Sequence, residues 1–537
     1  MTVTPDLMGD LPLGLDLLLR RAARHFPDKQ VRSASPAGTA VATYAELDER
    51  VGRLAGSLAD LSAPGDRVAS LCWSTLEHLD LYFGVPCSGR VLHTLNPRFR
   101  PDQIVAVLQE AGDRVLFVHR SLVPLAAAVA ERTALDHVIV IDDGTGAPEA
   151  DLPDGVAAHR YDELVGGAPI APLVVTDERA PAVICHTGGT TGMPKGVQYS
   201  HRSLVLHAMA TTAAGAIGIA ERDVAAPIVP LFHANAVGFA HAAVGCGATL
   251  VLPGPDLSGP ALAALLEAER VTVTCGVPTI WSSVLPHVAG RDLSALRMVI
   301  SGASAVPPSL SRAFEEAVGV PLTQIWGMTE TSPLGTIAVL PSSLVDADDE
   351  AVAGFRLTVG SPVLGVEARV VDDEGVEVPP DATASGELQV RGPWVATGYV
   401  AGRSPESFTP DGWLRTGDVA TVDPSRSIRI VDRIKDVIKS GGEWISSIEL
   451  ELHLMAHPSV AEAAVVGVDD ERWGERPVAF LVASDPTSPP NPEELRSHLA
   501  ELVPSWWVPD RYEVIDEVPK TSVGKFAKAE LRERLGT

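Results

Sequence analysis

The stretch His186-Thr-Gly-Gly-Thr-Thr-Gly-Met-Pro-Lys-Gly196 packs four glycines, three threonines and a lysine into eleven residues. Gly188, Gly189, Gly192 and Gly196 let a backbone come close to a polyphosphate, Thr187, Thr190 and Thr191 offer hydroxyl donors, and Lys195 supplies a cation. The chemistry is that of a phosphate cradle. It is not the common P-loop, which needs Gly-Lys followed by Ser or Thr after four spacer residues; here Pro194 precedes Lys195. A flexible surface loop is the bland alternative, and the ordered run from Thr187 to Gly196 argues against it.

Such a loop has to be held from both sides. Ala182-Val-Ile-Cys185 reads as a short buried strand entering it, and Ser200-His201-Arg-Ser-Leu-Val-Leu-His207 as a capped helix leaving it. Upstream, helical spacing over 13–26 and 43–61 precedes alternating strands and helices: strands at 67–72, 91–98, 115–118 and 137–141, helices at 76–88 and 104–111. Two further strand–helix units lie near 248–252 and 271–283. This alternation predicts an α/β fold with doubly wound, parallel sheets. From Gly365 the texture changes to alternating strands, 366–372 and 386–391, as in a small antiparallel sheet with one wet face. Past Asp432, charged helices at 492–502 and 526–535 flank the strand 463–467. The domain reading is a large N-terminal domain, 1–432, whose β-rich subdomain begins near 355, and a small α+β C-terminal domain, 433–537.

At 537 residues the chain exceeds one ordinary core. A formal charge of -27 excludes a protein that grips nucleic acid with a basic face, so positive potential at an anion site must be local. Five scattered cysteines, 46% hydrophobic residues and an N-terminal run without signal-peptide regions lead to the expectation of a cytoplasmic protein with free, buried thiols. The charge-free tract from Val224 to Pro255 is broken by Pro227, Pro230, Gly238, Gly245, Gly247 and Pro253, so it is expected to be a buried strand–helix–strand unit and no membrane span.

The Gly/Thr loop resembles the signature loop of the adenylate-forming superfamily of acyl-CoA synthetases, peptide-synthetase adenylation domains and luciferases. Gln324-Ile-Trp-Gly-Met-Thr-Glu-Thr331 matches its aromatic-Gly-x-Thr-Glu motif. The resemblance implies ATP as substrate, with Trp326 and Gly327 at the adenine, Thr329 at the α-phosphate, and Glu330 with Thr190 holding Mg²⁺, a hard cation that wants oxygen ligands. Gly302, Ala303 and Ser304 resemble the segment on the adenine side; Gly302 also borders the acid. Asp418, in Asp411-Gly-Trp-Leu-Arg-Thr-Gly-Asp418, is implied to bond the ribose hydroxyls together with Arg433.

Pro519-Lys-Thr-Ser-Val-Gly-Lys525 matches the motif whose final lysine, here Lys525, reaches the active site and steadies charge as a carboxylate attacks phosphorus. Lys435 is the implied pivot about which the small domain swings, withdrawing Lys525 and bringing Ser440-Gly-Gly-Glu-Trp444 to the site. Gly441 and Gly442 would then let the pantetheine arm of CoA pass, beside Trp444. Phe232 and His233 match the acyl-pocket segment, His233 being carried over among the catalytic positions.

Over nearly its whole length the chain is most similar to bacterial medium- and long-chain fatty acyl-CoA synthetases. It departs from them at Val237, where a gating Trp is expected, and at His241, where another aromatic is expected. Loss of such a plug shifts selectivity by about 10-fold or more and points to a fatty, aryl or functionalised acid. The implied function is an ATP-dependent acid–CoA ligase. The alternatives are an adenylating enzyme that uses no CoA, such as one activating nitrite for an aryl amine, and a silent nucleotide sensor. The implied partners are a small-molecule acid and, in assembly, a second copy of the chain.

Overall fold

The computed structural model describes residues 9–147, 151–188, 193–441, 443–521 and 525–536. Of the residues singled out above, Gly189, Thr190, Thr191, Gly192 and Gly442 lie outside the described residues, as does the side chain of Val237.

Val115–His119 is buried at all five positions and Arg67–Leu71 at four of its five. Continuous apolar runs of this kind suit parallel strands covered on both faces. They sit centrally in a seven-stranded sheet ordered Ala157–Arg160, His137–Ile141, Val115–His119, Arg67–Leu71, Val91–Thr94, Pro181–His186 and Gly196–Ser200. All neighbours in it are parallel except the last pair.

A nine-stranded sheet is parallel from Leu322–Trp326 through Met298–Ser301, Val273–Gly276, Val224–Pro227 and Thr249–Leu252 to Gln30–Ser35, with antiparallel strands at both edges. One apolar core joins the two sheets, taking Leu92 and Val183 from the first and Leu250 and Ile300 from the second. The chain thus has the doubly wound α/β architecture read from its sequence. The charge-free tract is the expected strand Val224–Pro227, helix Ala234–Cys246 and strand Thr249–Leu252. No helix among the described residues is long and apolar enough to cross a membrane.

Two small sheets follow. Glu367–Val371, Ser385–Arg391, Leu414–Val422 and Ile428–Arg433 form an antiparallel sheet. It begins later than 355, because Asp349–Arg356 is a helix and Ser361–Pro362 pairs with Thr336–Ile337 at the edge of the large sheet. Beyond Arg433, Val460–Asp470 and Gly474–Ala483 carry a sheet with apolar cores of its own, packed under the helices Ser447–Met455, Pro492–Ala500 and Lys528–Leu535.

One local expectation needs correction. The Gly/Thr stretch is not followed directly by a helix; the strands on its two sides pair as a hairpin, because Gly196–Ser200 runs antiparallel to Pro181–His186, with His186 opposite Gly196. Val197 and Tyr199 are buried while Gln198 is exposed, the period of two that a strand requires. The helix His201–Thr212 follows directly, its N-cap Ser200 accepting from Ser203 N–H at 3.1 Å. The five cysteines are free; Cys72, Cys87, Cys185 and Cys275 are buried and Cys246 half-buried.

Candidate active site

Three strands, one from the seven-stranded sheet and two from the nine-stranded one, end at one place. Pro181–His186 delivers Thr187, Met298–Ser301 delivers Gly302 and Ala303, and Leu322–Trp326 delivers Gly327 to Glu330. The crevice beyond the carboxyl ends of parallel strands is where such sheets bind ligands. Here it holds a cavity of about 470 Å³ lined on one side by Thr187, Gly188 and Lys195 and on another by Gly327, Thr329 and Glu330. Ala303 and His233 also face it, and the C-terminal part of the chain closes it with Arg433, Lys435 and Lys525.

The hairpin is pinned at its base. Thr187 N–H donates to the Lys195 carbonyl at 2.9 Å, and Lys195 N–H to Thr187 Oγ1 at 3.1 Å. Opposite it, Thr329–Thr331 is a single 3₁₀ turn. Tyr199 Oη donates to the Thr329 carbonyl at 2.6 Å and Ala396 N–H to the Glu330 carbonyl at 2.7 Å, while Thr331 Oγ1 accepts from Met328 N–H at 3.0 Å. Gly327 sits so close to this turn that a Cβ would lie 1.5 Å from the Pro333 carbonyl oxygen. Gly302 is similarly confined, a Cβ there reaching Ile325 Cγ1 at 2.7 Å.

Five cationic side chains, Lys195, Arg415, Arg433, Lys435 and Lys525, line this cavity in a chain whose net charge is -27, Arg415 being paired with Glu387 at 2.8 Å. The local positive potential demanded above is therefore built from residues far apart in sequence. Burial lowers Lys525 to about 8, helped by the charges of Arg433 and Lys435 and opposed by Asp418 and Glu330. Burial also lowers Lys435. Asp418, 3% exposed, accepts from Arg433 Nε on one oxygen at 2.9 Å and from Trp326 Nε1 on the other at 2.8 Å, and this carboxylate holds Arg433 above its usual range. Glu330 is 4% exposed, and burial raises its carboxyl. His233 is pulled to about 4 by burial, with Lys525 and Arg98 adding to it, so its imidazole is neutral near pH 7.

The remaining sequence candidates are set back from these walls. Trp326 is not among the cavity's lining residues; its indole is directed at Asp418. Ser304 lines a neighbouring crevice of about 740 Å³ that also reaches Arg433 and Lys525. Phe232 packs edge-on against Trp73, at 6.4 Å between ring centroids, and His241 is fully buried between Tyr82 and Phe83. Gly441, at φ +62°, donates its N–H to the Trp473 carbonyl at 2.6 Å, and Trp444 is 39% exposed beside Lys439 and Glu443. None of the described residues of the segment 440–444 lines the cavity that Lys525 lines.

Sequence reasoning missed Tyr399. Its hydroxyl donates to Glu330 Oε1 at 2.5 Å, and its ring lies under Lys195 Nζ at 4.9 Å. Nothing in the run Ala396-Thr-Gly-Tyr-Val-Ala-Gly-Arg403 signals this, because its partners lie far off in sequence, 69 residues away in the nearer case.

The AMP-binding enzyme family matches residues 19–400, and its C-terminal domain matches 449–525. The chain is 42% identical to a long-chain-fatty-acid–CoA ligase of Thermus thermophilus, over 99% of this chain and 98% of that one. It is 39% identical to a 3-methylmercaptopropionyl-CoA ligase of Ruegeria lacuscaerulensis, over 97% of each. Among solved structures, an anthranilate CoA ligase in complex with anthranoyl-AMP superposes with a TM-score of 0.86 at 25% identity, covering 98% of both chains. With the motifs, the architecture and these matches in agreement, the chain belongs to the AMP-binding enzyme family, the adenylate-forming superfamily of the acyl-CoA ligases.

Proposed function

We propose that the protein is an ATP-dependent ligase that joins a carboxylic acid to CoA through an acyl-adenylate. The observation that carries this is the meeting of the phosphate hairpin, Glu330 and Lys525 around one cavity. ATP lies with its phosphates along Thr187, Gly188 and Lys195 and its ribose toward Asp418, whose two oxygens are aimed by Trp326 and Arg433. The acid's carboxylate attacks the α-phosphorus, the bond to pyrophosphate breaks, and Lys525 neutralises charge at the phosphoryl oxygens. The nucleophile is already anionic, so no general base is required. CoA thiol then attacks the acyl carbon and AMP departs, with Lys435 as pivot and the 440–444 segment brought round to the site.

Among the described residues no group of three or more His, Cys, Asp or Glu side chains could hold a metal ion. One buried carboxylate, Glu330, fits a cation that arrives already chelated by phosphate oxygens, and Thr190 is assigned as a second donor. Bound there, Mg²⁺ would offset phosphate charge. A homodimer in the cytoplasm belongs to the same proposal.

His207 packs against the helix Ala234–Cys246, which carries Val237. It is 2% exposed, accepts from Leu334 N–H on Nε2 at 3.1 Å, and so carries its proton on Nδ1. Nδ1 has no partner among the described residues, and it sits 2.2 Å from where a Cβ on Gly238 would be, next in sequence to Val237. Assayed with ATP, Mg²⁺, CoA and a panel of fatty, aryl and ether- or keto-bearing acids, the protein is expected to release pyrophosphate and form thioesters. Turnover with nitrite and an aryl amine alone would move the reading to a CoA-independent enzyme, and no turnover with any acceptor would favour a sensor.

Gly327→Ala is expected to lower kcat/KM for pyrophosphate release by about 100-fold, because the methyl group must displace the backbone that carries Glu330. An unchanged rate would mean that this turn does not position the reaction.

A further inference from the structure

Lys195 and Glu330 face the same cavity with opposite charges, yet they form no ion pair among the described residues. Between them stands Tyr399, presenting its ring face to the ammonium and its hydroxyl to the carboxylate. An aromatic face attracts a cation and a phenol is a strong donor to a carboxylate, so one neutral side chain satisfies both charges at once.

Tyr399 is itself held. Its ring packs against Phe408 at 5.5 Å, and Val400 seals the foot of the hairpin, 3.0 Å from where a Cβ on Gly196 would be. Arg403 donates to the Pro194 carbonyl at 3.2 Å and pairs with Glu110 at 3.1 Å. Glu110 in turn meets His186 Nε2 at 3.5 Å, and His186 Nδ1 meets His93 Nε2 at 3.0 Å over the buried Asp113. The segment 399–403 is thus strapped to the phosphate hairpin from the residue beside Lys195 down into the sheet.

We propose that Tyr399 is a positioning residue that keeps Lys195 and Glu330 from neutralising each other, reserving the lysine for phosphate and the carboxylate for a divalent cation. Without the ring, the two charges close into a salt bridge that has to be broken whenever a nucleotide binds. The inference rests on the nucleotide reading of the cavity and names a residue that this reading did not use.

The test is ATP affinity by calorimetry, with Mg²⁺ and with EDTA, on the full-length protein and on Tyr399→Leu, Tyr399→Phe, Glu330→Gln and the Tyr399→Leu/Glu330→Gln double variant. Tyr399→Leu is expected to weaken metal-free ATP binding about tenfold, and Tyr399→Phe, which keeps the spacer, to stay within about threefold of the parent. The distinctive outcome is the double variant: removing the carboxylate frees Lys195 and restores metal-free affinity to that of Glu330→Gln alone. Additive losses would overturn the inference, as would a Leu variant that binds like the parent. No ATP binding to the unaltered protein would instead overturn the nucleotide reading, and this inference with it.

Discussion

Lys525→Ala is expected to slow acyl-adenylate formation by about 100- to 1,000-fold, the loss seen when one preorganised charge-stabilising donor is removed from a transition state. Conversion of a supplied acyl-adenylate and CoA to thioester should be retained, because in the proposed cycle that step follows the withdrawal of Lys525. Equal loss in both half-reactions would contradict the swinging-domain account. The pH dependence has a definite sign. Burial and the neighbouring Arg433 and Lys435 bring Lys525 down to about 8, and the ammonium is the useful form. kcat/KM for adenylation should therefore hold below about pH 8 and fall above it, approaching tenfold per unit. Lys525→Arg, charged at all accessible pH, should lose that alkaline limb even where its rate is lower.

The same residue shows how far the sequence could be read. Its motif, the Gly/Thr stretch and the Thr329–Glu330 motif are contiguous runs, and each was legible because a backbone shape or a spacing had to be written locally. The parallel, doubly wound character of the sheets followed for a similar reason: runs such as Val115–His119 leave no polar face. What joins these runs is written nowhere in particular. Trp326 with Asp418, and Tyr399 with Glu330 and Lys195, are pairs distant in sequence, and Tyr399 looks like an ordinary residue until the chain closes. The strand Gly196–Ser200 escaped because Val197 and Tyr199, apolar and next to a helix start, read equally well as the helix itself. The chain from Asp113 through His93, His186 and Glu110 to Arg403 was invisible for the same cause: each residue alone is a commonplace buried or half-buried polar group.

A second such constellation lies where the C-terminal domain meets the strand Ile428–Arg433. Asp432 is 1% exposed and accepts from Ser447 through both N–H and Oγ, at 2.5 and 2.6 Å. Lys528, from the last helix, donates to Ser447 Oγ at 2.6 Å and pairs with the buried Glu451 at 2.7 Å. One ammonium thus serves two buried carboxylates, and burial pushes Glu451 up to about 7 in spite of it. Lys528→Met should destabilise the C-terminal domain by about 3–5 kcal/mol near pH 8, since it leaves buried charge without a partner. The cost should shrink in acid. Because the folded Glu451 binds its proton more tightly than an unfolded glutamate, its contribution is fully present below the unfolded value of about 4.3 and is lost as pH rises through about 7. In the variant its pKa rises further, so protonation limits the damage at pH 5 and fails to at pH 8. Denaturant unfolding followed by tryptophan fluorescence, to which Trp444, Trp473, Trp506 and Trp507 of this domain contribute, reads this at the two pH values. A loss that is the same at both would mean that Lys528 acts through packing of its methylenes, and that the two carboxylates do not depend on its charge.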